Sequence, residues 1–231
     1  MFSDLRGELT YPVNEVFESL QGEASWTGTP STFIRLQGCP VGCPWCDTKH
    51  TWTLDEALLI GVRDMLGKQS DAATYARLTV AELLDVALGK RARHVVITGG
   101  EPCRYDLEPL CEALLRHDLT VQIETSGTHA IKAPREVWVT VSPKYHMPGG
   151  YGVMREALLR ANEIKMPVGK QADVELVQQL VEPVTVLHVR APVIWLQPLS
   201  QNVKATALCV EAATRYGWRV SLQVHKFIGA R

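Results

Sequence analysis

The sequence predicts an α/β fold, a partial, open (β/α)-barrel of about six strand–helix units. Three observations carry that reading. Beyond residue 90, β-branched runs alternate with amphipathic segments, the order that builds a parallel sheet. The strands are near-continuous apolar runs, as in a sheet covered on both faces. The chain has 231 residues, whereas a complete eight-unit barrel takes about 250. A flat doubly wound sheet is the rival. With no internal repeat or low-complexity segment, residues 1–231 read as a single domain.

The first strand is "STFIRLQ" (31–37). Residues 1–10 read as a mobile extension, and the polar stretch 53–78 as an insertion with some helix. "TVAELLDVAL" (79–88) is a helix opened by Thr79 and Glu82, a capping box. "RHVVIT" (93–98) is the next strand. "DLEPLCEALLRH" (106–117) is a helix with Leu107, Leu110, Cys111 and Leu114 on one face. Asp106 is its expected N-cap, and Pro109 sits in the first turn, where proline is tolerated. Strands follow at 120–125 and 137–142, then a helix at 153–162 and a strand at 163–168. The remaining elements are helix 172–181, strand 192–197, helix 204–217 and a last strand, 219–224.

Nearly every strand runs into a short polar turn: "LQGC", "TGGEP", "ETSG", "SPK", "QPLS" and "HK". Any one of these marks only a loop. In parallel α/β architectures, however, the carboxyl ends of the strands share one face, where ligands bind. Together the turns predict one continuous site.

Bulk composition excludes several classes. The chain is 46% hydrophobic and 21% charged, with net charge −1, so no basic footprint asks for nucleic acid. No stretch reaches the ~20 apolar residues of a membrane span. The opening "MFSDLRGELTYPVNEVF" lacks a basic segment followed by an apolar run, the mark of a secretory signal. The cysteines are therefore expected in a reducing cytoplasm, where a cluster binds metal or catalyses more often than it forms disulfides.

Cys39, Cys43 and Cys46 place half of the six cysteines within eight residues, directly after the first strand. Structural zinc takes four protein ligands; His50 or Cys103 would have to supply the fourth, and neither completes the usual paired pattern. A [4Fe–4S] cluster fits the count better, because three thiolates leave one iron open to a small molecule. Cys111 and Cys209 fall on apolar helix faces and read as buried small hydrophobes. Cys103 is a neighbour of the site or loop filler.

C-x3-C-x2-C with Trp45 before the third cysteine resembles the signature of the radical S-adenosylmethionine (SAM) superfamily. Gly-Gly-Glu-Pro (99–102) resembles that superfamily's turn for the SAM amino group. With "NEVFESLQGE" (14–23), "QIETSGTH" (122–129), "VTVSPK" (139–144), "LQPLSQ" (196–201) and "HKF" (225–227), the chain resembles the 7-carboxy-7-deazaguanine synthase family. The cysteine motif alone would specify only the superfamily.

The resemblance implies rearrangement of 6-carboxy-5,6,7,8-tetrahydropterin to 7-carboxy-7-deazaguanine with loss of ammonia, on the route to queuosine. It implies a [4Fe–4S] cluster, SAM and Mg2+ as cofactors, and a reduced flavodoxin or ferredoxin as electron donor. A homodimer is also implied. One electron would cleave SAM to a 5′-deoxyadenosyl radical that takes hydrogen from the pterin. Gly100, Ser142, Pro143, Lys144, Gln197, Pro198, Leu199 and Ser200 would meet SAM; Pro143 holds a bend, and Gly100 alternatively serves a tight turn. Leu20, Gln21, Gly22, Arg35 and Thr98 would meet the pterin. Arg35 interrupts an apolar strand, and its planar fork suits the substrate carboxylate; an internal salt bridge is the alternative. Thr48 would ligate Mg2+, with Asp47 its competitor and a helix cap the plainer role. Where the family shows "QGEG", this chain has Ala24 in the last position. If that position needs positive φ, alanine costs about 1 kcal/mol there. The rivals are a glycyl-radical activase, which acts on a protein, and a zinc-stabilised binding module.

Overall fold

A computed structural model describes residues 9–187 and 191–230. Most of the expected extension over 1–10 lies outside the described residues, and Thr10 already belongs to a strand.

Strand β1 (Thr10–Leu20) pairs antiparallel with β2 (Pro30–Leu36). The sequence reading misses β1 because Pro12, Asn14 and Glu15 interrupt its apolar run and proline cannot donate to a ladder. The fold absorbs the interruption in a register shift between Val13 and Glu15. Asn14 there donates to Gln37 Oε1 and to the Ala72 carbonyl, both at 2.8 Å.

The 53–78 stretch contains a short helix, α1 (Val62–Leu66), as expected. It also feeds an unexpected strand, β3 (Ala76–Thr79), which pairs antiparallel with β1. The capping box then opens α2 (Val80–Leu88). Thr79 Oγ1 accepts from the Glu82 N–H at 3.2 Å, and Glu82 Oε2 accepts from the Thr79 N–H at 2.8 Å.

From here strands and helices alternate: β4 (His94–Gly99), α3 (Glu108–Arg116), β5 (Thr120–Thr125), β6 (Trp138–Val141), α4 (Arg155–Arg160) and β7 (Glu163–Val168). They continue with α5 (Gln171–Leu187), β8 (Val193–Pro198), α6 (Val203–Tyr216), β9 (Arg219–Val220) and α7 (Val224–Phe227). One nine-stranded sheet results, in the order β3-β1-β2-β4-β5-β6-β7-β8-β9. From β2 onward every pairing is parallel, and the end strands β3 and β9 do not meet. This is the open, partial barrel.

Two boundaries differ from expectation. Leu107, not Asp106, occupies the cap of α3; Asp106 still helps, its Oδ1 accepting the Glu108 N–H at 3.1 Å. The last strand stops at Val220 instead of running to 224. Gln223 donates to Glu23 Oε1 at 2.9 Å and the Val224 N–H to the Gly22 carbonyl at 2.9 Å. Those bonds pull the chain off the sheet and across the barrel mouth.

Ile34, Leu36, Val95, Ile97, Val121, Ile123, Val139, Val141 and Ile164 form the core with residues of the flanking helices. Because side chains alternate along a strand, Phe33, Arg35, Val96, Thr98 and Glu124 point the other way, into a cavity. Among the described residues, no helix is long and apolar enough to cross a membrane.

Ala24 does occupy the left-handed region, at φ 55°, in the turn after β1. Its N–H donates to Ser221 Oγ at 3.0 Å, which holds the turn in place. Ala24→Gly relieves the strain and is expected to raise stability by about 0.5–1 kcal/mol, read as a rise of a few degrees in Tm.

Candidate active site

All six polar turns converge on a single cavity of about 370 Å3 at the carboxyl ends of the parallel strands. That volume suits a drug-sized ligand. The structure brings together Leu20, Gln21, Gly22, Arg35, Cys39, Cys43, Cys46, Thr48, Thr98, Gly100, Ser142, Lys144, Gln197, Pro198, Leu199 and Ser200 in its lining. Pro143 is the exception. It is buried behind the lining, where it shapes the turn between Ser142 and Lys144.

The cysteine loop is anchored by backbone. Gly38 and Cys39 donate to the carbonyls of Thr51 and Trp52 at 2.7 and 3.0 Å, and Cys46 donates to the Cys43 carbonyl at 3.0 Å. The Gly99–Gly100 turn packs directly onto it: Gly100 N–H meets the Leu36 carbonyl at 2.8 Å, and Glu101 N–H the Gly38 carbonyl at 3.0 Å. A Cβ on Gly100 would collide with the Gly38 carbonyl. The plainer role of Gly100, close backbone approach, is therefore realised beside its place in the lining.

The donor set fits a cluster better than a single ion. A tetrahedral zinc with 2.3 Å bonds holds its sulfurs about 3.8 Å apart. Among the described residues, the three-ligand set with atoms within 4.8 Å of one another is Glu15, His50 and Asp71; the three cysteine sulfurs are not such a set. Wider spacing is what separate irons of a cube require. Neither candidate for a fourth ligand lines the cavity. His50 belongs with Glu15 and Asp71, and Cys103 is part of the hydrophobic core, as are Cys111 and Cys209. Burial pushes the Cys39 thiol up to about 11 and raises Cys43 as well, so their ionisation calls for a positive centre such as iron.

Lys144 is the nearby cation. Its Nζ donates to the Ser142 carbonyl at 3.1 Å and to Ser142 Oγ. Burial lowers its pKa, partly opposed by Cys43.

Thr48 stands in the cap position of a short helical turn, but its hydroxyl makes no capping bond and lies 3.6 Å from Cys46 Sγ. The hydroxyl thus remains at the cavity. Asp47 also lines the cavity, and Lys226 Nζ lies 3.6 Å from its carboxylate.

The internal salt bridge expected as the alternative for Arg35 is present. Nε donates to Glu15 Oε1 at 2.6 Å and the guanidinium lies 5.5 Å from the Phe17 ring centre. Its terminal amino groups have no partner among the described residues, and the side chain borders the cavity. Glu15 and Phe17 hold one side of the fork, and its end borders the cavity.

The sequence reading missed the floor of the cavity. Glu23, Glu124 and the buried Lys165 form a trio, in which Lys165 Nζ donates to Glu124 Oε2 at 2.8 Å and to Glu23 Oε2. Burial opposes ionisation of Glu23, but Lys165 and Gln223 outweigh it and hold the carboxyl at about 2. For Glu124, burial wins over Lys165, and with Glu23 beside it the carboxyl is pushed up to about 7. A signal existed: Gln122 and Glu124, then Glu163 and Lys165, are polar residues at period two within apolar strands, and Thr140 joins them on the strand between. Such positions face the barrel interior.

A model of the radical SAM superfamily matches residues 33–144, the span from β2 through the Ser142–Lys144 turn. The 7-carboxy-7-deazaguanine synthase of Escherichia coli K12 is 49% identical over 95% of this chain and 99% of its own length. That of Buchnera aphidicola is 40% identical over 96% and 99%. The crystal structure of QueE from Escherichia coli matches with TM-score 0.90 at 49% identity, covering 95% of this chain and 96% of that one. With the three thiols, the Gly-Gly-Glu-Pro turn and the Arg35 fork on one cavity, the chain belongs to the 7-carboxy-7-deazaguanine synthase family of the radical SAM superfamily.

Proposed function

We propose that this chain converts 6-carboxy-5,6,7,8-tetrahydropterin into 7-carboxy-7-deazaguanine and ammonia, a step toward 7-deazapurines such as queuosine. The observation that supports it most is the placement of the Arg35 fork and the cysteine triad on the same cavity. When bound, the [4Fe–4S] cluster and SAM supply one-electron chemistry that removes hydrogen from the pterin.

The chain's own residues bind, orient and shield. Cys39, Cys43 and Cys46 hold the cluster, and Lys144, Ser142, Gly100 and the Gln197–Ser200 turn seat SAM. Thr48 offers an oxygen to Mg2+. Arg35 clamps the substrate carboxylate in a bidentate pair, while Leu20, Gln21, Gly22 and Thr98 line the ring's berth. Beneath it, Lys165 pairs with both Glu23 and Glu124; it favours the ionised form of Glu23, while burial beside Glu23 resists ionisation of Glu124. Lys226–Asp47 and Gln223–Glu23 tie the C-terminal segment over the mouth, excluding water. The substrate has the elements of product plus ammonia, so the net reaction needs no oxidant. A reduced flavodoxin or ferredoxin, a cytoplasmic setting and a homodimer belong to the same reading.

The test combines anaerobically reconstituted, reduced protein with SAM, Mg2+ and the carboxylated tetrahydropterin, followed by mass spectrometry. Product of the expected mass supports the reading; SAM cleavage without any pterin product refutes it. Arg35→Ala is expected to raise KM for the pterin roughly 100-fold, the loss of about two charge-assisted hydrogen bonds. SAM cleavage without pterin should persist. Equal loss of both activities would remove Arg35 from the carboxylate site.

A further inference from the structure

The half of the barrel below the pterin berth is polar, and His94 within it has no task so far. Val96 and Thr98 of β4 face the cavity, so His94, two residues earlier, faces inward as well. It is buried, and its ring stacks on Trp26 with centroids 4.2 Å apart. Nδ1 lies 2.9 Å from Thr120 Oγ1, whose hydroxyl also has the Arg93 carbonyl at a longer 3.3 Å, and Nε2 lies 3.0 Å from Gln122 Oε1.

Donor sense is fixed on the Gln122 side of this cluster, and on the other side the shorter of the two Thr120 contacts is the one to Nδ1. Glu163 accepts on both oxygens, from Thr140 Oγ1 at 2.7 Å and from Trp195 Nε1 at 2.9 Å. Thr140 has thus used its proton and must accept from Gln122 Nε2 at 2.9 Å. The same nitrogen donates to Glu124 Oε1 at 3.0 Å. Gln21 Oε1 accepts from the Glu23 N–H at 3.2 Å, so Gln21 turns its amino group to Gln122 Oε1 at 3.2 Å. Gln122 Oε1 is therefore an acceptor, and the His94 nitrogen facing it must carry a hydrogen.

We propose that His94 is a positioning residue: neutral, with its proton on Nε2, it fixes the Gln122 amide and through it Gln21 and Glu124 at the cavity floor. The inference rests on the function proposed above, in which Gln21 meets the pterin. Burial, partly opposed by Gln122, lowers the pKa of His94 and favours the neutral ring.

The test uses reconstituted full-length protein. His94→Phe keeps a ring against Trp26 and removes both nitrogens; KM for the pterin should rise about tenfold, with pterin-independent SAM cleavage unchanged. His94→Gln restores a donor where Nε2 stood and should return KM to within about threefold of native. Because His94 acts through Gln122, adding His94→Phe to Gln122→Met should cost nothing further. A native KM in His94→Phe, or an equal further loss on Gln122→Met, overturns the proposal. If His94→Phe does not fold, imidazole 15N shifts of the native protein decide, with His94 assigned by its absence from His94→Gln. The neutral Nε2–H form over about pH 6–8 supports the proposal, and the Nδ1–H form or the imidazolium overturns it. A native protein that cleaves SAM but leaves the pterin untouched refutes the function instead, and the same shifts still judge His94.

Discussion

Cys43→Ala is expected to abolish turnover completely and to leave a colourless protein after anaerobic reconstitution. Three thiolates are the least that hold a [4Fe–4S] cube while one iron stays open, so loss of one removes the cluster rather than weakening it. The fold should survive. Cys43 is one small buried side chain, and its loop is held by backbone bonds from Cys39, Cys46 and Gly149, the last to the Val41 carbonyl at 3.1 Å. Far-ultraviolet circular dichroism should therefore match native while iron content falls to zero. Cys103→Ala is the control. Its thiol sits in the core, away from the cavity lining, so it should lose about 1–2 kcal/mol of stability and keep its iron. Full iron in Cys43→Ala, or lost iron in Cys103→Ala, would mean that the ligand set is misassigned.

What the sequence made legible follows physical reach. The parallel strands show as apolar runs because both faces are covered, and the turns at their carboxyl ends show because Gly, Pro and charge interrupt those runs. Cys39, Cys43, Cys46 and Arg35 stand out because few bland roles suit three clustered thiols or an arginine inside an apolar strand. β1 stayed hidden because its stability comes from partners on both sides and from a register shift at Asn14, which local periodicity does not register. α7 stayed hidden because Gly22 and Glu23, about 200 residues earlier, draw it off the sheet. The trio on the floor draws on β7 and β5 and the turn after β1, so its pairing exists only once the barrel has curved.

That trio gives the second large effect. Lys165→Met is expected to destabilise the protein by about 3 kcal/mol near pH 8, because it strands Glu23 and Glu124 as largely buried carboxylates without their shared cation. The sign with pH follows from the shifts. Glu23 is held near 2, below its ordinary 4.5, so in the native protein its contribution is present above 4.5 and is lost as pH falls toward 2. Glu124 is raised to about 7, so its contribution is present below 4.5 and is lost as pH rises through 7. Burial lowers Lys165, but Glu124 and Glu23 raise it well above its ordinary value, so it stays charged throughout this range. Without Lys165, nothing offsets burial for Glu23 except Gln223 and His225, and both carboxyls take up protons at mild acidity. The stability gap between Lys165→Met and native should then shrink as pH falls from about 8 to about 5, measured by urea unfolding. Glu124→Gln should behave oppositely: it removes the carboxyl that resists ionisation, leaves the Lys165–Glu23 pair intact, and should gain relative to native as pH rises past 7. A gap for Lys165→Met that is the same at both pH values would show that the side chain stabilises by packing its stem, not by its charge.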